Sequence, residues 1–337
     1  MDPLGGPERQ DSWLRLEDAS AIGAARRMAT ALAQDRGFDD EHAGQVAVAV
    51  SEAASNLVKH ARVGMMLIRP HPGVPGTIEV ISIDSGPGMS DTVGPIRDGY
   101  STTGTLGIGL GAITRLSDFY DIYSVPGKGT VLSMQFTARG ATGPDSMTCG
   151  LGRPVGDEIV SGDAFAFQET ADTVTAIVCD GLGHGVGAAE ASREAVRVFR
   201  ADPEVTPLSV IERTHRALGH TRGGAVAAIR IDRRARAVTY AGIGNISGWI
   251  VTPTGRQGLL SLPGIAGHNA RHLRETRYEL PPHAVVVMHS DGLTERWDLA
   301  AYPGLLRHSA HVIAGTLFRD SAIRRDDASV LVIRTGP

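Results

Sequence analysis

The stretch ARGATGPDSMTCGLG, residues 138–152, constrains this chain more than any other feature. It is small and polar, carries four glycines and a proline, and has neither a helical nor an alternating apolar period. Such a run reads as a linker between two separately cored bodies. At roughly 100–200 residues per domain, 337 residues also make two domains. An apolar content of 42% is ample for two cores. The expected organisation is a first domain over 13–137, a linker over 138–152 and a second domain over 153–335.

Before the linker, helices and strands mix. ASAIGAARRMATALAQDRG (19–37) has apolar residues at helical spacing and stops at Gly37. FDDEHAGQVAVAVSEAASNLVKHA (38–61) is a second helix, acidic at its start and basic at its end, which suits the helix dipole. MMLIRP and TIEVISIDS read as strands, LGIGLGAITRLSD as a third helix, and FYDIYSV with GTVLSMQFTA as a hairpin around PGKG. After the linker, strands dominate. AFAFQE, VTAIVCD, AVAAIRIDRR, AVTYAGIGN, GWIVTP, AVVVMHSD and SVLVIRT are strand-like, with two helices at AAEASREAVRVFR and PLSVIERTHRAL.

Bulk properties narrow the function classes. A net charge of -4 advertises no nucleic-acid partner. No run of about 18 apolar residues offers a membrane span. The two cysteines, Cys149 and Cys179, form no metal-type cluster and suit a reducing compartment. The start lacks the basic-then-apolar order of a signal peptide, so a cytoplasmic location is expected.

Three stretches of the first half form a constellation. Glu52, Asn56 and His60 fall at i, i+4 and i+8 and share one helix face. Alone, that is equally a solvated polar stripe. Asp84 ends an apolar strand and is followed by Gly86 and Gly88. DSGPG has turn chemistry, yet a buried carboxylate there can also accept a hydrogen bond from an adenine amino group. Finally, RDGYSTTGTLGIGLG (97–111) places Thr105, Gly107, Gly109 and Gly111 where a helix opens, and helix-opening amides hold phosphate oxygens. Asn56 is then the ligand for a phosphate-bridging Mg²⁺, and Glu52 the general base for an attacking hydroxyl.

Those motifs resemble the GHKL (Bergerat-fold) ATPases, and among them the anti-sigma-factor serine/threonine kinases. VAVSEAASNLVKHA matches their N-box and IDSGPGM their adenine box. The run from Arg97 to Thr130 is especially similar to the RsbT-like switch kinases. The resemblance implies ATP with Mg²⁺ as cofactor, bound by Asn56, Asp84, Gly86, Gly88, Thr105, Gly107, Gly109 and Gly111. It also implies phosphorylation of serine or threonine on a small STAS-domain protein.

The second half repeats another grammar. Asp163 precedes a strand in SGDAFAF, Asp180 ends one in TAIVCDGLGHG, Asp291 ends one in VVVMHSDGLTE, and Asp326 with Asp327 starts one in RRDDASVLVIR. A single such aspartate is as well explained as a turn or cap. Several beside apolar strands suit hard divalent cations.

These residues resemble the metal-dependent PPM-type serine/threonine phosphatases, in their SpoIIE and RsbX-like branch. The resemblance implies two Mn²⁺ or Mg²⁺ ions held by Asp180, the Gly181 carbonyl, Asp291 and Asp326, with Asp163 nearby, and water rather than a side chain as the attacking group. Larger members bind phosphate through an arginine near their amino end; Arg153 is the nearest candidate, and that role stays open. His184 reads as a surface turn residue, Asn245 as structural and Cys179 as a core thiol. The expected fold is thus a two-domain α+β chain, a Bergerat α/β sandwich followed by a PPM-type α-β-β-α sandwich. Its expected work is opposed kinase and phosphatase action on STAS-domain partners, with a homodimer left open. The alternative is an ATP-gated binding module that transfers no phosphate, coupled to an active phosphatase.

Overall fold

The computed structural model describes residues 11–90, 106–141, 147–156, 158–323 and 325–336. The chain divides into an N-terminal unit of residues 11–146 with 300–319, and a C-terminal unit of 147–299 with 320–337.

In the N-terminal unit five antiparallel strands lie in the order β1-β2-β3-β5-β4. They are β1 (Trp13–Arg15), β2 (Gly64–Pro70), β3 (Thr77–Asp84), β4 (Phe119–Val125) and β5 (Gly129–Thr137). Helices α1 (Ala19–Asp35), α2 (Asp40–His60) and α3 (Leu106–Leu116) accompany them. Asp18 caps α1 by accepting from Ser20 N at 2.8 Å, and Asp39 caps α2 by accepting from His42 N at 2.8 Å. The buried stripe of α1 is Ala25, Ala29 and Ala33, small enough for α2 to approach closely. Behind them Val46, Val50 and Leu57 of α2 pack with Met66, Ile68, Ile78, Val80, Met134 and Phe136 of the sheet.

Strand β3 is buried from Thr77 to Ile83, so both of its faces are covered. The second cover is the distant segment 300–319, which corrects the expected second domain of 153–335: this segment belongs to the N-terminal unit. This segment holds most of helix α6 (Ala310–Ser321). A Cβ on Gly315 would lie 2.7 Å from Val131 Cγ1, so only glycine lets α6 sit this close to the sheet. Phe318 stacks on Trp13 with ring centroids 5.5 Å apart. Polar ties fix the register: Asp121 accepts from Ser309 N at 2.6 Å and meets His308 Nδ1 at 2.8 Å, and Tyr123 Oη donates to Pro303 O at 3.2 Å.

The C-terminal unit is a sandwich of two five-stranded antiparallel sheets, β13-β10-β9-β8-β7 and β12-β11-β14-β15-β6. The first contains β7 (Asp163–Glu169), β8 (Thr173–Gly181), β9 (Gly224–Asp232), β10 (Ala237–Ile243) and β13 (Thr276–Glu279). The second contains β6 (Thr148–Arg153), β11 (Ser247–Thr252), β12 (Gly255–Leu259), β14 (Val285–His289) and β15 (Ala328–Arg334). Val174, Ala176, Val178, Ile229 and Ile231 from one sheet mesh with Ile250, Val286, Met288, Leu331 and Ile333 from the other. Helices α4 (Val186–Ala201) and α5 (Pro207–Ala217) cover the outer face of the first sheet through Ala191, Ala195, Phe199, Val210 and Ile211. Strand β6 corrects the linker: residues 148–152 pair with β15 rather than hanging between domains.

Candidate functional site

At the nucleotide-type site, Glu52 and Asn56 are half-buried on α2, while His60 in its last turn is exposed. Helix α3 lays its first turn against them. A Cβ on Gly109 would stand 2.9 Å from Glu52 Oε2 and 3.8 Å from both Asn56 side-chain heteroatoms. A larger residue there would displace the Glu52 carboxylate. Gly107 falls in the first described turn of the same helix. Gly111 lies farther along α3, where a Cβ would be 3.1 Å from Arg115 Nη1. Thr105 lies outside the described residues.

Asp84 closes β3 half-buried. Its Oδ1 accepts from Gly86 N at 2.6 Å and its Oδ2 from Thr130 N at 3.1 Å. Burial raises its pKa against the pull of those amides and of Arg319. Gly88 has φ +68°, and a Cβ there would lie 2.1 Å from Val125 O, so a side chain is excluded twice over. A groove of about 700 Å³ between α1 and α2 has Glu52 in its lining, together with Arg26, Arg27, Thr30, Gln34 and Ser51. No sequence signal marked that groove.

At the acidic site, Asp163 on β7 and Asp180 on β8 are direct cross-strand partners. Asp180 and Asp291 are within hydrogen-bonding range of each other, and Asp326 acts electrostatically on both. Burial, then its carboxylate neighbours Asp163, Asp291 and Asp326, pushes Asp180 up to about 8. Burial likewise raises Asp163, although Ser290 Oγ donates to its Oδ2 at 2.5 Å. Asp163, Asp180 and Asp291 are each raised by burial and by one another's charge, with Asp326 adding its own charge to Asp180 and Asp291; such a set of hard oxygen donors is of the type that suits divalent cations.

The neighbours sort themselves by partner. Asp327 is held by backbone: Oδ1 accepts from Val155 N at 2.7 Å and Oδ2 from Gly162 N at 2.8 Å. It ties loops together, while Asp326 faces the cluster. Asn245 Nδ2 donates to Asp291 Oδ2 at 2.7 Å, so this residue orients a site carboxylate, a role the sequence reading missed. Gly181 carries no side chain because its Cβ would meet Ala188 O at 2.1 Å. His184 is exposed and pairs with Glu158 at 3.3 Å. Cys179 is buried, and burial drives its thiol pKa up, as a core residue requires.

A second cluster, His71, Glu79 and His311, sits buried in the N-terminal unit. Its chemistry opposes a metal. His71 Nδ1 accepts from Gly73 N at 3.1 Å, which leaves the proton on Nε2, the atom facing Glu79. Arg69 occupies the other oxygen of Glu79. The cluster is a buried ion-pair network, and it holds the Glu79 pKa well below the usual carboxylate range against the cost of burial.

Residues 16–136 match the family described as histidine kinase-like ATPase domain. Over 121 residues the chain is 35% identical to the serine/threonine-protein kinase RsbT of Bacillus subtilis (strain 168), a span that covers 35% of this chain and 90% of that one. The chain belongs to this kinase family. Residues 170–336 match the family described as stage II sporulation protein E (SpoIIE). There the chain is 23% identical over 179 residues to the phosphoserine phosphatase RsbX of the same organism, covering 51% of this chain and 86% of that one. A solved structure reported under the bacterial stressosome, a modular system adapted to control secondary messenger signaling, aligns with a TM-score of 0.51 at 30% identity. It covers 56% of this chain and 98% of that structure's chain. The kinase-like unit and the PPM-type unit expected from the sequence are therefore both present. Among the described residues no helix is long and apolar enough to cross a membrane.

Proposed function

We propose that this chain is a partner-switching regulator that phosphorylates and dephosphorylates STAS-domain proteins at serine or threonine. The observation that carries the reading is the seating of Gly109 on Glu52 and Asn56, in the same chain as the Asp163, Asp180, Asp291 and Asp326 cluster. The named activities of the two relatives, a serine/threonine kinase and a phosphoserine phosphatase, support it.

In the kinase reaction Asp84 would accept from the adenine amino group, the backbone at Gly107 and Gly109 would approach the phosphates, and Asn56 would hold Mg²⁺. Glu52 Oε2 takes the proton from the acceptor hydroxyl, which enters along the groove beside Arg26 and Arg27. In the phosphatase reaction Asp180, the Gly181 carbonyl, Asp291 and Asp326 hold a pair of Mn²⁺ or Mg²⁺ ions. Those ions, when bound, supply Lewis acidity and an activated water for in-line displacement. Asn245 fixes Asp291, and Ser290 fixes Asp163.

The test is to incubate the full chain with Mg²⁺-ATP and a STAS-domain protein and weigh the partner intact. A gain of one phosphoryl group, removed after ATP is depleted and Mn²⁺ added, is expected. ATP binding without any mass gain, alongside Mn²⁺-dependent dephosphorylation, would instead make the first unit a nucleotide-gated binding module. No change in either step would overturn both activities.

A further inference from the structure

A phosphate ester brings negative charge to a site already lined with aspartates. A cationic side chain that reaches the phosphoryl oxygens is therefore expected at its edge. Arg153 does not serve: its guanidinium donates to Ile323 O at 2.7 Å and to Pro154 O at 3.3 Å. His184 is turned to Glu158.

Arg222 stands in a different position. It lies two residues before Gly224, and Gly224 pairs with Gly181, the residue after Asp180. The turn that follows Asp180 is fastened to the Arg222 loop, since Leu182 N donates to Gly223 O at 2.9 Å. The guanidinium lies over that turn. A Cβ on Gly187 would be 2.7 Å from Arg222 Nε and 2.8 Å from Cζ, and one on Gly183 would be 3.5 Å from Nη1. The side chain is exposed, and among the described residues it has no ion-pair partner. It is a guanidinium packed against Gly187 and Gly183, over the turn that follows Asp180.

We propose that Arg222 is the phosphate-binding residue of the acidic site, donating N–H groups to non-bridging oxygens of the substrate's phosphoryl group. This rests on the phosphatase reading. It gives this chain a phosphate clamp on the β9 side of the site, where the amino-end arginine is committed to backbone carbonyls. A methyl group at Gly187 would shift the guanidinium, which makes that position a handle on the clamp.

The experiment uses the full chain with saturating Mn²⁺ and para-nitrophenyl phosphate, with inorganic phosphate as product inhibitor. Arg222→Ala should raise both KM and the phosphate inhibition constant by about tenfold or more, the scale of a charge-assisted hydrogen bond. Arg222→Lys should recover part of that loss. Gly187→Ala should raise the same two constants in the parent and change nothing further in Arg222→Ala, because the two act through one group. The Mn²⁺-induced rise in melting temperature should be equal in all five proteins, the double variant included, which separates phosphate binding from a folding or metal defect. Parent values of KM and phosphate inhibition in Arg222→Ala would overturn the assignment. If the parent itself hydrolyses nothing, the phosphatase reading fails. Calorimetric phosphate binding to the Mn²⁺-loaded parent and Arg222→Ala then decides the Arg222 assignment alone, and equal affinities would overturn it.

Discussion

His311 Nε2 meets Glu79 Oε2 at 2.9 Å, across 232 residues of sequence. Arg69 holds the other oxygen and His71 stands 3.8 Å away, so a buried carboxylate is the meeting point of β2, β3 and α6. Glu79→Gln should destabilise the N-terminal unit by about 3–5 kcal/mol, the usual cost of removing one partner from a buried charged set. Because folding lowers the Glu79 pKa from its ordinary 4.5, the stability it supplies is present above that value and fades as pH falls below it. Urea unfolding at pH 7 and pH 4 should show a gap between parent and variant that narrows at the lower pH.

The acidic cluster has the opposite sign. Folding raises Asp163 from 3.8 to about 7 and Asp180 from 3.8 to about 8, so the metal-free folded state binds protons that the unfolded chain has released. Stability of the C-terminal unit should then decline as pH rises from about 4 to about 8 in EDTA. Saturating Mn²⁺ should abolish the decline. A flat melting temperature over that range in EDTA would contradict it.

Asp326 and Asp327 are neighbours with different work. Asp326→Asn should remove the Mn²⁺-induced rise in melting temperature and most turnover, with the metal-free protein as stable as the parent. Asp327→Ala should do harm in the metal-free protein, by about 2–4 kcal/mol, because it leaves the amides of Val155 and Gly162 without their acceptor. Thermal scans with and without Mn²⁺ distinguish the two patterns.

At the nucleotide-type site, Glu52→Ala should keep ATP affinity and lose phosphoryl transfer by about 10²–10⁴-fold. Asp84→Asn should weaken ATP binding itself. Gly109→Val should do both, since its side chain would collide with Glu52 and Asn56. Calorimetry and a single-turnover transfer assay, run side by side, check the division.

Local patterns were legible in the sequence where local physics decides. The i, i+4 placement of Glu52 and Asn56, the end of β3 at Asp84 and the strand-end aspartates all follow from periodicity and turn chemistry. Three features were not legible, each for a reason of distance or shape. Gly150 and Gly152 looked like linker glycines; a Cβ on Gly150 would meet the Phe165 ring at 2.2 Å, so that bare position is a packing surface within β6. Asn245 reaches Asp291 only because β10, β11 and β14 bring their ends together. Segment 300–319 has no sequence mark of its destination, because the face it covers is built from strands more than 160 residues upstream.

That segment makes the chain a plait rather than two beads on a string. A protein ended at residue 146 would keep Glu52, Asn56, Asp84 and Gly109 but lose Arg319 from beside Asp84, and would present Ile81, Ile83 and Val131 to water. Such a half would be prone to self-association, and swapping either half between relatives would need to carry residues 300–319 along with the part of the sequence they serve. Selection acting on the kinase-like half therefore reaches into codons that lie inside the phosphatase-like half.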